Sequence, residues 1–221
     1  RRVKLEYGPM RHGPMPSNDR SGERWYRGTP KIASNRPIPL QPLSSVFDGK
    51  CLDIHWILPD FGRGGGGHMT IFRIVELMSK FGHRQTIWIQ NAVASPSPEV
   101  AKKRIQHWYR PIGDEVIVRF LPDDTRQLSG DAIIATDCWT VYPAVSCANF
   151  KARFYFIQDF EPYFHPMGEN YLVAEATYRM GLFRLCNTPG LLEHVRKTHG
   201  GDGTAFVPTV DRTVYFPPAA T

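Results

Sequence analysis

The chain has 221 residues, 42% of them hydrophobic and 22% charged, which argues against a disordered polymer and an integral membrane protein and is ample for a buried core. The formal net charge of +6 would suggest a polyanionic partner, but residues 1–50 hold ten Lys and Arg against four Asp and Glu, and the remaining residues hold 17 of each. The globular part is therefore electroneutral and offers no argument for nucleic-acid binding.

Residues 1–50 contain seven Pro and five Gly and follow neither a helical nor a strand period, which predicts an extended basic arm. The chain has no secretory-type apolar core at its start and no run of 18 apolar residues, so we expect a cytoplasmic protein. The four cysteines show no paired spacing, which favours free buried thiols over disulfides or a metal site.

From residue 51 onward, short apolar runs alternate with amphipathic stretches. Strands are predicted at 52–58, 83–90, 115–121, 131–136, 153–158, 182–187 and 205–208. Helices are predicted at 67–82, from Ser97 onward, around 140–149, around 169–180 and at 191–197. This alternation predicts an α/β fold for residues 51–210, a Rossmann-like parallel sheet with helices on both faces. Ligands of such folds bind beyond the carboxyl ends of the strands, which directs attention to the loops there.

A glycine-rich loop at 59–68, with four consecutive glycines, joins the first strand to the first helix. Glycine lets a ligand approach the backbone, and the helix N-terminus beyond it favours an anion or a polyhydroxyl group. Gly62, Gly64 and Gly67 formally satisfy G-x-G-x-x-G, but the second strand ends in Gln90 and Asn91 rather than in the acid that a dinucleotide site expects. No Gly-Lys-Ser/Thr follows the glycines, which excludes a phosphate-loop NTPase.

The segment 157–169 begins at a strand end and combines two prolines, three aromatic residues, three acids and a histidine. Aromatic faces beside carboxylates suit sugar recognition, and a carboxylate there can take a proton from an attacking hydroxyl. Asp159 and Glu161 are the candidates for that role, with His165 behind them. The structural alternative for each residue is a loop or cap acceptor, or a satisfied half-buried imidazole.

Asp137 and Trp139 likewise follow a predicted strand and place an acid and an aromatic ring at the crevice. Capping of the following helix is the alternative and the favoured explanation for Asp137.

Two segments carry a resemblance to a known family. GGGGHMTIFRIVELMSKFGH at 64–83 looks like the first loop and helix of GT-B nucleotide-sugar glycosyltransferases. FYFIQDFEPYFHPMGENYLVAEATYR at 154–179 is similar to the narrower group of bacterial rhamnosyltransferases of surface-glycan and rhamnan synthesis. The ending at 210–217 resembles the stretch at which such enzymes cross into their C-terminal domain, so residues 211–221 are expected to begin an interdomain linker. The resemblance implies the acceptor-side, N-terminal half of a two-domain transferase.

The resemblance also implies roles for individual residues. Gly65, Gly66 and Gly67 would line the cleft near the donor phosphates or the transferred sugar. Gln158, Asp159, Glu161 and Tyr163 would face the acceptor and the reaction centre. The implied partners are a nucleotide-sugar donor such as dTDP-rhamnose, a growing surface glycan and the chain's own C-terminal domain, with no cofactor and no metal. Because that domain would hold most of the donor site, we expect this chain alone to be inactive.

Two other functions stay open at this point. The first is a glycan-binding or scaffolding module without chemistry, and the second is a dinucleotide-binding oxidoreductase domain. The basic arm is a candidate for contact with the anionic inner face of the membrane where surface glycans are assembled.

Overall fold

The computed structural model describes residues 51–211, so the arm predicted for 1–50 and the linker beyond Asp211 lie outside the described residues. The strands are β1 Asp53–Pro59, β2 Arg84–Gln90, β3 Ile117–Phe120, β4 Ser129–Ala135, β5 Asn149–Ile157, β6 Phe183–Cys186 and β7 Gly203–Ala205. The helices are α1 Gly66–Lys80, α2 Pro98–Trp108, α3 Cys138–Ser146, α4 Glu169–Ala176 and α5 Pro189–His199. Short 3₁₀ turns lie at Thr125–Gln127, Glu161–Phe164 and Thr177–Arg179.

The seven strands form one sheet in the order β3-β2-β1-β4-β5-β6-β7, and every neighbouring pair is parallel. The chain therefore adds β2 and then β3 on one side of β1. It then returns to the other side of β1 and adds β4 to β7 in order. This confirms the predicted Rossmann-like α/β fold and places a topological switch point between β1 and β4.

Helices cover both faces of the sheet. Alternate strand residues point to opposite faces, so each face has its own apolar side chains to pack against them. On one face Trp56 and Ile87 pack with Phe72 of α1 and with α2. On the other face Ile133 and Tyr155 pack with α3 and α5. The two clusters are separate layers of one core, as expected for a parallel sheet buried on both sides.

Local signals place several element ends. Ser97 caps α2 by accepting from the Val100 N–H at 3.3 Å, and Thr188 caps α5 in the same way. Gly82, predicted to follow α1 in the left-handed region, has φ +86°.

Several predicted bounds are wrong, and pairing with a neighbouring strand explains the errors at Asn149 and Gly203. The helix predicted at 140–149 ends at Ser146, and β5 begins at Asn149 because that residue pairs with Ser129 of β4. The last strand is Gly203–Ala205 rather than 205–208, because the pairing partner Arg184 lies opposite Gly203. A Cβ on Gly203 would come within 2.8 Å of the Arg184 carbonyl oxygen, so the approach of the two strands requires glycine here.

Within residues 51–211 no helix has the length and apolarity needed to span a bilayer, and no cluster of three His, Cys, Asp or Glu side chains is arranged to hold a metal.

Candidate functional site

The loops after β1, β4 and β5 converge at the switch point, at the carboxyl edge of the sheet. The β1 loop leads into α1 at Gly66, and the β4 loop leads into α3 at Cys138. The N-termini of both helices thus point into the same crevice, the location at which open α/β sheets bind ligands.

The glycine loop is held in shape by Tyr109, the residue directly after α2. The buried Tyr109 hydroxyl donates to the Gly62 carbonyl and accepts from the Gly65 N–H at 3.3 Å. Gly64 has φ +90°, a conformation that L side chains rarely adopt, so a turn of this shape requires glycine there. The loop is therefore a fixed turn. The glycines predicted the loop, but nothing in the sequence indicated that Tyr109 holds it.

The N-terminus of α1 is open. Within residues 51–211 no side chain caps it, and the N–H groups of Gly66, Gly67 and His68 have no hydrogen-bond partner. Free N–H groups and the positive end of the helix dipole favour an anion at this point. The predicted ligand residues Gly65, Gly66 and Gly67 all lie at this open end.

Gly67 brings the glycine loop into contact with the β5 loop. A Cβ at this position would lie 3.0 Å from the Gln158 Nε2 atom, whereas a Cβ on Gly66 would meet nothing within 4 Å. The Gln158 side chain thus lies close beside Gly67, and the structure brings these two predicted site residues together at the crevice.

Asp60, which the sequence analysis did not single out, ties the β1 loop to the loop after β2. Its carboxylate accepts from the N–H groups of Val93 at 2.8 Å and Ala94 at 2.6 Å. Its position in the loop just beyond the strand predicted at 52–58 was the only signal that could have identified it. Through this contact the two loops form one continuous rim.

The N-terminus of α3 is closed by carboxylates. Asp137 accepts from the Thr140 N–H at 2.8 Å, and Thr140 Oγ1 accepts in return from the Asp137 N–H at 3.0 Å, which forms a capping box. The Glu161 carboxylate reaches across from the β5 loop and accepts from the Cys138 N–H. The cap role considered for Asp137 is therefore present in the structure.

These two carboxyl groups have raised pKa values. Burial, and secondarily repulsion from Asp137, raises the pKa of Glu161 to about 8, and burial raises the pKa of Asp137 to about 6. Glu161 is only 6% exposed, and the Tyr155 hydroxyl lies beside its carboxylate. Of the two carboxyl groups, Glu161 is therefore the one that more strongly favours its protonated form, because two like charges at a shared buried site repel each other.

Asp159 differs from Glu161 in every respect that bears on chemistry. It is exposed, and its carboxylate accepts only from the N–H of the next residue, Phe160, at 2.7 Å among the contacts of the described chain. Of the two carboxylates proposed for catalysis, Asp159 is thus accessible to a substrate, whereas Glu161 anchors the β5 loop to α3.

The aromatic residues of the β5 loop are divided between its two sides. The His165 ring packs edge to face with the Trp139 indole, with the two ring centroids 5.7 Å apart. This contact joins two predicted binding residues. Tyr163 is 70% exposed and packs with one edge against Phe160 at 4.7 Å. Phe160 in turn stacks on Tyr178 at 5.3 Å. A buried aromatic stack therefore supports the exposed Tyr163 ring at the rim.

No family model matches this chain. The chain is 36% identical over 168 residues to the O-antigen biosynthesis protein RfbC of Myxococcus xanthus, a match that covers 73% of this chain and 13% of the relative. Crystal structures of Anabaena HepE in complex with UDP, and with UDP and glucose, superpose with a TM-score of 0.51 at 16% identity, covering 76% of this chain and 47% of HepE. The chain thus spans about an eighth of its curated relative and about half of HepE.

Proposed function

We propose that this chain is the acceptor-side domain of a nucleotide-sugar-dependent glycosyltransferase of surface-glycan synthesis. The similarity to an O-antigen biosynthesis protein and the fold shared with a UDP-binding protein support this function. The finer assignment is a GT-B enzyme that transfers rhamnose, from a donor such as dTDP-rhamnose, to a growing glycan.

The observation that carries the proposal is the close approach of the Gln158 side chain to Gly67. It brings an open, anion-favouring helix N-terminus within reach of a loop that presents an exposed carboxylate and exposed aromatic rings. Transfer of a sugar from a nucleotide requires these two halves side by side, because the leaving diphosphate and the attacking hydroxyl lie on either side of one anomeric carbon.

In the proposed reaction the acceptor hydroxyl oxygen bonds to the anomeric carbon while the bond from that carbon to the donor phosphate breaks. The N-terminus of α1 at Gly65, Gly66 and Gly67 stabilises the phosphate charge that develops. Asp159 takes the proton of the acceptor hydroxyl, and Tyr163, His165 and Trp139 contact the acceptor sugars. Glu161 and Asp137 hold the β5 loop and α3 in the geometry that this step needs.

The remaining donor contacts belong, in this proposal, to a C-terminal domain reached through residues 211–221, so the 221-residue chain alone does not turn over donor. The protein works in the cytoplasm, with the basic arm at 1–50 against the anionic inner membrane face. Vesicle flotation tests the arm, since deletion of residues 1–45 abolishes co-flotation with anionic vesicles if the arm is the contact.

The test of the function is a transfer assay on the longer protein that contains this domain. dTDP-rhamnose and UDP-glucose are each supplied with glycan acceptors of increasing length, and products are identified by mass spectrometry. Transfer that disappears in Gly67→Val, where the larger side chain meets Gln158, supports the proposal. Saturable glycan binding without transfer from any nucleotide sugar would instead identify a glycan-binding module.

A further inference from the structure

Gln90, the last residue of β2, is a buried side chain that the roles above leave unused. It is 6% exposed, and its Nε2 donates to the Trp139 carbonyl at 3.5 Å. Pro143 stands four residues after Trp139 in α3 and has no N–H, so this carbonyl lacks its helical donor and takes the glutamine amide instead. The contact sets the orientation of the amide, with its nitrogen toward α3.

The amide oxygen of Gln90 is left without a partner. Among residues 51–211 no donor reaches Oε1, and the atom exposes essentially no surface. A buried acceptor that is not hydrogen-bonded costs folding free energy, and such groups are rare in native proteins without a functional reason. Gln85 on the same strand shows the usual case, since its amide donates to the Val75 carbonyl and to Ser79 Oγ and accepts from the Trp56 indole.

The next residue, Asn91, carries a second unusual feature. It has φ +51°, and it is the one non-glycine residue in the described chain with positive φ. Its side chain is exposed. Asn91 lies in the loop after β2, which Asp60 holds by accepting from the N–H groups of Val93 and Ala94. Backbone strain of this kind persists where the surrounding structure enforces it and tends to cluster at ligand sites.

We propose that Gln90, Asn91 and Trp139 form a subsite for one neutral pyranose unit of the acceptor glycan. Planar amides exchange paired hydrogen bonds with neighbouring hydroxyls, and an indole ring packs against the C–H face of a sugar. The unpaired Gln90 oxygen accepts from a sugar hydroxyl, the Asn91 amide contacts the adjacent hydroxyl, and Trp139 covers the ring. The inference rests on the proposed function and adds the residues that select the acceptor.

Access to Oε1 requires a movement. Because this atom is closed off from solvent, a hydroxyl reaches it only when the Gln90 side chain shifts away from the Trp139 carbonyl toward the crevice, while α3 keeps its cap and its contact with Glu161. The long 3.5 Å contact between Gln90 and Trp139 is the bond that such a shift breaks most easily.

Two substitutions separate binding from folding in the full 221-residue chain. Gln90→Met removes the unpaired oxygen while nearly conserving side-chain volume, and Asn91→Gly removes the amide at a position where glycine relieves the strain. The matched control is Gln85→Met, which deletes a fully satisfied buried amide on the same strand. Affinity for methyl α-L-rhamnopyranoside and methyl α-D-glucopyranoside is measured by NMR titration, and Tm is measured by circular dichroism.

We expect Gln90→Met and Asn91→Gly each to weaken glycoside binding by at least about tenfold, with a smaller loss of Tm than in Gln85→Met. Gln85→Met should lower Tm and leave the affinity unchanged. Wild-type affinity in both crevice variants overturns the subsite and leaves the proposed function standing. Absence of saturable binding to the wild-type chain also overturns the subsite, and the transfer assay on the longer protein then decides the proposed function separately. Should Gln90→Met prove too unstable to measure, Asn91→Gly alone decides the outcome.

Discussion

The helices α1 and α3 point their N-termini into the same crevice, but their ends are treated in opposite ways. At α1 three backbone N–H groups are open and no side chain caps the helix within the described residues. At α3 two carboxylates, Asp137 and Glu161, occupy the corresponding positions. The backbone N–H groups thus remain available to an external anion at α1, whereas at α3 side chains already occupy them. The proposed function accordingly assigns the donor phosphate to the α1 side and the neutral acceptor sugars to the α3 side.

Installing a carboxylate at α1 is expected to give the largest effect. Gly65→Asp would imitate the cap of α3, which supports the helix but repels a donor phosphate, so transfer by the longer protein should fall by about 100-fold or more. Gly65→Ser adds a neutral cap and the same Cβ, which would lie 3.1 Å from His68 Nδ1, and controls for that contact. Equal losses in the two variants would show that crowding, and not charge, causes the effect.

Substitution of the two carboxylates of the β5 loop should give the next largest difference in activity. Asp159→Asn removes the exposed proton acceptor and should lower kcat/KM of the longer protein by about 100-fold, while Glu161→Gln, which still accepts from the Cys138 N–H, should lower it less than about tenfold. Glu169→Gln, another exposed acid of the same segment, is the control. If Asp159→Asn loses less than tenfold, about 1.4 kcal/mol, that carboxylate takes no direct part in the chemistry.

The closed end of α3 should matter for stability. Asp137→Ala removes the capping box and should cost about 1 kcal/mol of unfolding free energy, which corresponds to a fall in Tm of about 2–4 °C. Ser97→Ala removes the cap of α2 away from the crevice and provides the comparison. An unchanged Tm in Asp137→Ala would mean that Glu161 alone satisfies this helix end.

The last expected effect is a change in pH dependence. The folded-state pKa of Glu161 is raised to about 8, so the folded chain keeps a proton that the unfolded chain releases. Stability is therefore full below the ordinary carboxyl pKa and is lost as pH rises from about 5 to 8. Glu161→Gln should flatten the pH profile of urea unfolding over this window. A wild-type profile that is already flat would contradict the raised pKa.

Local patterns account for most of what could be predicted from the sequence. Apolar runs identified all seven strands approximately, and Ser97 and Gly82 marked helix ends through interactions within a few residues. The errors at Asn149 and Gly203 arise where pairing with a distant strand decides the bound. The site residues divide in the same way into local and distant effects. The glycine loop and the aromatic acidic segment were recognisable from the sequence. Asp60 and Tyr109 were not, because each bonds to residues 30 or more positions away.

The sequence by itself determined an α/β sheet, its carboxyl-edge loops and the residue types that line them, because periodicity and capping are properties of neighbouring residues. Only the tertiary structure decided that Glu161 turns inward while Asp159 stays exposed, that Gly67 meets Gln158, and that Gln90 keeps an unpaired oxygen beneath α3. These outcomes depend on which strands become neighbours at the switch point. Asp159 and Glu161 are two residues apart, yet one is exposed and the other is buried, because contacts with other elements of the fold decide the environment of each.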